Sequence, residues 1–244
     1  MSTLEFILNK FQIEWKGCVC KHRPDKHVHE VKNCTECECE GYRSTQPIEI
    51  PNVGRDNLPA LFRELGFKVG AEIGVMQGDF SQVLCKDYPE LKLHCVDSWQ
   101  EHPDNTVGDQ KTMEVYYNRA RRRLHKYNVK LVRDFSVKAA KAFADSSLDF
   151  IYLDADHSFP AVVADLAAWI PKVRKGGCIA GHDYIQRGMG PTIFGKANKT
   201  FHVKQAINGW TAAYLIDPWF LLGRGIPREG EIRDKIRSFL WAND

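Results

Sequence analysis

The 244-residue sequence has no apolar run that approaches the roughly 18 to 20 residues needed to cross a bilayer. The segment Met1–Trp15 has no basic leader, no continuous apolar centre and no small-residue cleavage site, so it does not resemble a signal peptide. Internal repeats and low-complexity tracts are lacking as well. These absences predict a cytoplasmic globular protein with no membrane partner.

An excess of charge of either sign is also missing. The 34 lysine and arginine residues nearly balance 31 aspartate and glutamate residues, for a formal net charge of +3. So small an excess argues against nucleic acid and anionic membranes as partners. One basic run falls in a helical pattern, where we interpret it as a solvated face rather than a nucleic-acid site. Its members are Arg119, Arg121, Arg122, Arg123 and Lys126.

The eight cysteines are unevenly placed. Cys85, Cys95 and Cys178 lie in apolar stretches and are predicted to be small core residues. The other five fall with three histidines in Gly17–Tyr42, a segment too short to fold on a core of its own. Structural zinc takes four such ligands in a tetrahedron, and the segment resembles small bacterial zinc knuckles. Four zinc ligands are predicted among Cys18, Cys20, His27, His29, Cys34, Cys37 and Cys39.

A disordered, redox-labile arm is the alternative interpretation of this cysteine/histidine segment. With zinc bound, the segment would be structural, would support a homodimer or would recruit a protein partner. Its acidic residues offset its lysines, which argues against nucleic acid as that partner. These acidic residues are Glu30, Glu36, Glu38 and Glu40.

Strand and helix patterns alternate from Asn57 onward, which is typical of a parallel sheet covered on both faces. Five strands are predicted at Val69–Ile73, Lys92–Val96, Lys130–Val132, Phe150–Leu153 and Gly177–Ala180. The helices between and after them are predicted at Phe80–Lys86, Lys111–Lys126, Val137–Ala144, Ala161–Ile170 and Val203–Ala213.

Elements at both ends complete the predicted architecture. An amphipathic helix is predicted in Met1–Trp15, a linker at Arg43–Arg55, two apolar segments at Tyr214–Ile216 and Trp219–Leu222, and a last helix near Glu229–Trp241. The predicted fold class is α/β: a Rossmann-like, doubly wound, mostly parallel seven-stranded sheet with helices on both faces, plus a small N-terminal metal-binding module. The predicted domains are residues 1–45 and 56–244.

The first strand runs into an E-x-G-x-x-x-G turn that begins at Glu72 and has glycines at Gly74 and Gly78. Glycines there allow a tight bend and let a ligand lie against the backbone. The next strand ends at Asp97, where an acidic side chain can accept both ribose hydroxyl hydrogens. A nicotinamide site usually reads G-x-G-x-x-G for its pyrophosphate, whereas the Glu72 carboxylate suits a cationic, phosphate-free ligand.

This turn resembles motif I of class I S-adenosylmethionine (SAM)-dependent methyltransferases. The resemblance implies that Asp97 binds the ribose, that Glu72 lies near the methionine amino group, and that the loop from Arg133 to Ser136 flanks the adenine. Simpler interpretations are that Glu72 caps a helix and that Asp97 only ends a strand. The donor-binding residues so implied are Glu72, Gly74, Val75, Gly78, Asp97, Ser98, Asp134, Phe135, Ser136 and Asp154.

Two acidic and histidine-rich segments end the fourth and fifth predicted strands, Asp154-Ala-Asp156-His157-Ser158 and Gly181-His182-Asp183-Tyr184. With Val163-Ala-Asp165-Leu and Trp169 between them, they resemble the methyltransferases of domain family 24, which are related to catechol-type and sugar O-methyltransferases. The resemblance spans roughly Asn57 to Leu222. Carboxyl ends of neighbouring parallel strands meet at one ligand crevice, so these side chains should converge.

In the metal-dependent relatives the matching positions bind a divalent cation such as Mg²⁺ or Mn²⁺, which implies Asp154, His182 and Asp183 as its ligands and Asp156 as the base. The relatives usually have an acidic residue where this chain has His182, which shifts the preference toward Mn²⁺, Fe²⁺ or Zn²⁺ or removes the metal altogether. Such a cation lowers the pKa of a coordinated hydroxyl. The alternative needs no metal: His157 or His182 takes the proton from an acceptor hydroxyl or amine. We interpret Asp165 and Trp169 as surface and packing residues, and Tyr184 as a residue that packs or reacts.

The sequence therefore predicts a SAM-dependent methyltransferase for a small-molecule acceptor. Two alternatives stay open, a nicotinamide-dependent enzyme on a related fold and a non-catalytic zinc-knuckle adaptor. The loops Gln186–Thr200 and Trp99–Gly108 are predicted to enclose the acceptor pocket, because long loops beside a site often act as lids. Contact with the acceptor is predicted for Trp99, His102 and Phe194.

Overall fold

The computed structural model describes residues 1–13, 46–101, 108–185, 201–224 and 237–244. In these ranges the strands are β1 (Ile48–Ile50), β2 (Val69–Ile73), β3 (Lys92–Asp97), β4 (Val129–Arg133), β5 (Leu148–Leu153), β6 (Val173–Gly181), β7 (Phe220–Leu222) and β8 (Phe239–Asn243). The helices are α1 (Thr3–Lys10), α2 (Leu58–Glu64), α3 (Asp79–Asp87), α4 (Gln110–Leu124), α5 (Ser136–Ala140), α6 (Phe159–Trp169) and α7 (Val203–Ala213).

All of these strands belong to one sheet, in the order β1-β7-β8-β6-β5-β2-β3-β4. Each neighbouring pair is parallel except that β8 runs antiparallel to both β6 and β7. The predicted α/β class and mostly parallel sheet are therefore confirmed. The predicted strand number is wrong, since the sheet has eight strands in the described ranges rather than seven.

The two unpredicted strands have different physical causes. Strand β1 lies in the predicted linker and is only three residues long, too short to show a period. Strand β8 contradicts the predicted helix Glu229–Trp241 at its end, where Phe239, Leu240 and Trp241 are at most 2% exposed. Because β8 is covered on both faces, it reads as a continuous apolar run, which periodicity does not separate from a buried helix.

The central elements lie where the sequence predicts them. Strand β2 and helix α7 have the predicted bounds, and β3, β4, β5 and β6 contain the predicted segments. Helix α5 ends at Ala140, before the predicted end at Ala144. Cys85, Cys95 and Cys178 are buried free thiols, as predicted.

Side chains on the strands alternate between two apolar cores. On β5, Phe150 and Tyr152 face the core shared with α1, α2, α3 and α4, whereas Ile151 and Leu153 face the core shared with α5, α6 and α7. This period of two is that of a strand with both faces covered. The sheet is thus held rigidly from both sides, with the carboxyl ends of β2, β3, β5 and β6 along one edge.

Helix α1 packs on the amino-terminal part of this framework. Ser2 begins it with a capping box, in which its hydroxyl accepts from the Glu5 amide and the Glu5 carboxylate accepts from the Ser2 amide. Ile7 is completely buried in the core of α2 and α3, and the Thr3 hydroxyl donates to the Gly176 carbonyl at 2.6 Å. Helix α1 therefore packs with the sheet. The division of the chain into domains at residues 1–45 and 56–244 stays a prediction.

Several predictions fall on residues outside the described ranges. They concern the zinc ligands between Cys18 and Cys39, the loop Gln186–Thr200 with Phe194, and His102. Within the described ranges, none of the helices combines the length and the apolar character that a bilayer crossing requires.

Candidate active site

The turn after β2 is held by two glycines with left-handed backbones. Gly74 has φ of 94° and Gly78 has φ of 76°, a region that side chains with a Cβ rarely enter. A Cβ on Gly74 would lie 2.1 Å from the carbonyl oxygen of Asp154, so only glycine fits between β2 and the end of β5. The Gly74 amide donates to the Val96 carbonyl at 2.9 Å, which brings the turn against the end of β3 as well.

Asp97 ties this turn to the end of β3. Its Oδ2 accepts the backbone amides of Val75 and Met76, both at 2.9 Å, and its Oδ1 accepts the amide of Trp99 at 2.8 Å. Ser98, between them, is half-buried and accepts from the Gln100 amide. Three amide donors make Asp97 the residue that shapes the crevice, whichever ligand it also meets.

Glu72 lies beneath the turn rather than in open solvent. It is 2% exposed, on the face of β2 that meets α3, and its Oε2 accepts a short hydrogen bond from the Ser81 hydroxyl. Burial raises the pKa of Glu72 to about 8, although the bond from Ser81 acts to lower it. The side chain therefore holds its proton at neutral pH.

The loop between β4 and α5 forms the far wall of the crevice. The Asp134 amide donates to the Asp97 carbonyl at 3.1 Å, and the Phe135 ring is 53% exposed beside it. Ser136 is held by α6: its hydroxyl donates to Asp165 at 2.5 Å and accepts from the indole N–H of Trp169 at 2.9 Å. An exposed aromatic ring thus stands on a loop whose backbone is fixed at both ends.

The sequence pattern predicted Asp165 to be a surface residue, and this prediction is wrong. It is 6% exposed, and burial raises its pKa to about 6 against the opposing effect of the Ser136 hydrogen bond. The helical spacing indicated a solvated side chain, but this helix face packs on the loop that begins α5. Trp169 is completely buried, which confirms its packing role. Tyr184 also packs, edge-on against Trp219, and its hydroxyl donates to Asn208 at 2.7 Å.

Two carboxylates and two imidazoles meet at the ends of β5 and β6. His157 Nε2 lies 2.7 Å from Oδ2 of Asp183 and 3.4 Å from Oδ1 of Asp154. His182 Nδ1 lies 3.2 Å from Oδ1 of Asp183 and 3.9 Å from Oδ2 of Asp154. Sequence analysis predicted this convergence, and the structure brings all four side chains together.

The hydrogen bonds within this cluster favour a protonated His157 beside an ionised Asp183. Burial acts to lower the pKa of His157, but its hydrogen bonds to Asp154 and Asp183 outweigh that effect and raise the pKa to about 9. Burial acts to raise the pKa of Asp183, but hydrogen bonds from both histidines hold it well below its usual range. Asp183 also has a positive φ of 56°, a strained backbone for a residue with a side chain.

Asp156 stands between this cluster and α6. Its Oδ1 accepts the Ser158 amide at 2.7 Å, which satisfies an amide at the start of the helix. Ser158 is the N-cap residue of α6, although its own hydroxyl makes no capping bond.

Asp154, His182 and Asp183 have the chemistry and spacing of a cation site. One ligand atom from each lies within 4.8 Å of the other two. Carboxylate oxygens and an imidazole nitrogen are ligands that Mn²⁺ and related divalent cations accept. The residues present therefore fit the cation that the sequence resemblance implied.

Arg55 is a site residue that sequence reasoning missed. It begins a 3-10 turn, Arg55–Asn57, in the segment predicted as a linker. Its guanidinium lies 4.8 Å above the Phe80 ring, with Nη1 3.6 Å from Oδ2 of Asp154. No local pattern marks this arginine, because the fold alone brings the turn to the edge of the sheet.

Trp99 occupies a different place from the acceptor contact predicted for it. The side chain is 1% exposed, its indole N–H donates to the Met76 carbonyl at 2.8 Å, and its ring packs on Tyr117. It therefore packs beneath the turn and is covered from the crevice.

Comparisons with known proteins agree with this architecture. Residues 71–184 match the model of a family described as a methyltransferase domain. No curated protein matches the sequence significantly. An O-methyltransferase from Bacillus cereus, solved in complex with S-adenosylhomocysteine (SAH), is 16% identical over 98% of this chain and 90% of that chain, with a TM-score of 0.52. TomG from Streptomyces achromogenes, an O-methyltransferase involved in tomaymycin synthesis and solved in complex with SAM, is 12% identical over 78% and 79%, with a TM-score of 0.53.

At such identities the solved structures show a shared fold. The segment matched by the family runs from β2 to the end of β6, and it contains the glycine turn, Asp97 and the carboxylate–imidazole cluster. The chain thus carries a segment that matches a methyltransferase domain, on the fold of solved O-methyltransferases.

Proposed function

We propose that the protein transfers a methyl group from SAM to a hydroxyl of a small-molecule or sugar-like acceptor, with an amine as the less favoured acceptor group. The observation that carries this proposal is the convergence of three features at one edge of the sheet. They are the glycine turn, the Asp97 carboxylate and the cluster of Asp154, His157, His182 and Asp183. The matched methyltransferase segment and the O-methyltransferase fold support it.

In this proposal the donor lies along the crevice from β4 to β5. Its adenine stacks on the exposed Phe135 ring, beside Asp134 and Ser136, and its ribose hydroxyls bond to the Asp97 carboxylate next to Ser98. Its methionine chain follows the backbone of Gly74, Val75 and Gly78 above the buried Glu72. An ammonium group near Glu72 would favour loss of the proton that this side chain holds in the free protein.

The acceptor hydroxyl is proposed to lie against the ends of β5 and β6, where the donor's methyl group would point. Nε2 of His157 is already engaged with Asp183 and Asp154, so His157 orients these carboxylates. His182 and Asp156, at the same strand ends, are the groups proposed to take the acceptor's proton. Its transfer leaves an oxyanion that attacks the sulfonium methyl in line.

A divalent cation such as Mg²⁺ or Mn²⁺ is a proposed partner of this cluster, held by Asp154, His182 and Asp183. When bound, it would lower the pKa of the acceptor hydroxyl and hold it in place. With the cation bound, His182 would be a ligand and Asp156 would take the acceptor's proton, while His157 holds both carboxylates in either case.

The N-terminal cysteine/histidine segment adds a separate proposal. We propose that four of its ligands bind structural zinc and that the segment supports a homodimer or recruits a protein partner. These residues lie outside the described ranges, so the proposal depends on the sequence pattern alone.

Calorimetry with SAH tests the proposed function. Wild type should bind SAH, and Asp97→Ala should lose binding, because the variant removes both the ribose acceptor and the clamp on three amides. Asp87→Ala, at an exposed aspartate that ends α3, is the matched control and should bind like wild type. Equal affinity in wild type and Asp97→Ala, or protection against heat by NADH and not by SAH, would contradict the proposal.

A further inference from the structure

Arg55 places a guanidinium group between the glycine turn and Asp154. Its side chain is 31% exposed, and its Nη1 lies 3.6 Å from Oδ2 of Asp154. The group lies over Phe80, in the first turn of α3 directly after Gly78. It also lies beside the side chain of the buried Tyr152.

The described contacts leave most of this guanidinium's bonding capacity unused. A guanidinium carries five N–H donors in a planar fork that matches a carboxylate in two parallel hydrogen bonds. The nearest oxygen of Asp154 is 3.6 Å from Nη1, which exceeds a hydrogen-bond distance. Asp154 is in addition shared with His157 and His182. The ion pair therefore holds Arg55 in place without saturating it.

Two other arginines reach the same turn, but their guanidinium groups bond to Gln77 and Asp79. Arg123 Nη1 bonds to the Gln77 carbonyl at 2.7 Å and to Asp79 at 2.6 Å. Arg119 Nη1 donates to the Gln77 side chain at 2.7 Å. Both approach from α4, whereas Arg55 approaches from the side of β5 and Asp154.

We infer that Arg55 binds the α-carboxylate of the donor's methionine moiety, an assignment that rests on the proposed function. With the adenosine end at Asp97 and Phe135, the amino-acid end of the donor reaches the part of the crevice beside Gly74 and Asp154. That end carries a carboxylate as well as an ammonium group. The guanidinium fork beside α3 supplies the cation for the carboxylate, and the amino terminus of α3 adds favourable partial charge.

This assignment gives Arg55 a role in specificity. An adenosyl thioether without the carboxylate would leave the guanidinium with no partner but Asp154. The site would then distinguish the complete amino-acid donor and its product from truncated adenosyl thioethers by the strength of a charge-assisted bond. Such bonds contribute about 1.5–3 kcal/mol, which corresponds to about a tenfold to hundredfold difference in affinity.

The test compares two ligands on the full chain by calorimetry: SAH and its decarboxylated analogue S-adenosyl-3-thiopropylamine, which keeps the adenosine, the sulfur and the ammonium group. Wild type should bind SAH about tenfold to a hundredfold more tightly than the analogue. In Arg55→Ala this ratio should fall to about twofold or less, because SAH loses affinity and the analogue does not. Arg55→Lys keeps the charge without the fork and should give an intermediate ratio.

The matched control is Arg63→Ala, in α2, whose guanidinium donates to the Asp87 carbonyl away from the crevice. It should keep the wild-type ratio. Equal affinity of the two ligands for wild type, or an unchanged ratio in Arg55→Ala, would overturn the inference and leave the proposed function standing. No binding of either ligand to wild type would overturn the proposed function itself. Equal affinity in wild type overturns the inference without any variant, and Arg55→Lys tests the role of Arg55 if Arg55→Ala fails to fold.

Discussion

Glu72→Gln should stabilise the protein, and more strongly as the pH rises. The wild-type side chain is 2% exposed, and burial raises its pKa to about 8 from an ordinary value of 4.5. Glutamine has nearly the same shape, keeps an oxygen that accepts from the Ser81 hydroxyl, and has no proton to lose. The substitution therefore removes a titration and leaves the packing in place.

The magnitude follows from proton linkage. Between pH 4.5 and pH 8 the unfolded glutamate is ionised while folded Glu72 keeps its proton, so the folded state binds more protons. The stabilising contribution of Glu72 is complete below pH 4.5, decreases as the pH rises, and is lost once the pH passes about 8. The slope is about 1.4 kcal/mol per pH unit. From pH 6 to pH 8, the variant should gain about 2 kcal/mol over wild type in free energy of unfolding, since the slope flattens near the folded pKa.

Urea denaturation followed by circular dichroism at pH 6, 7 and 8 measures this difference. Glu90→Gln, at an exposed glutamate, is the matched control for the loss of one carboxylate. A constant difference between Glu72→Gln and wild type over this range would refute the view that buried Glu72 is protonated in the ligand-free fold.

Two further variants test the walls of the crevice. Asp165→Leu removes the acceptor of the Ser136 hydroxyl and should lower the free energy of unfolding by about 1–3 kcal/mol, whereas Asp165→Asn keeps an accepting oxygen and should lose less. Urea denaturation compares the two variants, and equal losses would contradict a stabilising hydrogen bond from Ser136 to Asp165. Gly74→Ala places a Cβ 2.1 Å from the Asp154 carbonyl oxygen and should weaken SAH binding more than tenfold by calorimetry. Unaltered SAH affinity would show that the close packing of Gly74 on Asp154 is not needed. Gly209→Ala, at a helical glycine with open space around it, should instead stabilise α7 by about 0.5–1 kcal/mol.

Local patterns were sufficient to predict the centre of the fold. The apolar segment before Glu72 predicted β2 with its correct bounds, and the glycine spacing predicted the turn that follows. The acidic and histidine residues after β5 and β6 were predicted to converge, because the carboxyl ends of parallel strands share one edge. In each case the signal lies within a few residues of the feature it predicts.

Features that depend on distant packing were not predictable in this way. Strand β8 inserts between β6 and β7, and its apolar residues carry no alternation to distinguish it from a helix. No local motif marks Arg55, and the helical spacing of Asp165 gives no sign of its burial; only the assembled fold brings Arg55 to Asp154 and buries Asp165 beside Ser136. The acidic residue at Asp97 was predicted, but its bonds to three backbone amides follow from how the turn closes on β3.

The central claim is that the crevice between Gly74, Asp97 and the carboxylate–imidazole cluster binds the methyl donor. A crystal structure of the protein grown with saturating SAH tests it most directly. Bound SAH should have its ribose hydroxyls on the Asp97 carboxylate and its sulfur facing Asp154 and His182. SAH bound at another place, with this crevice empty, would contradict it.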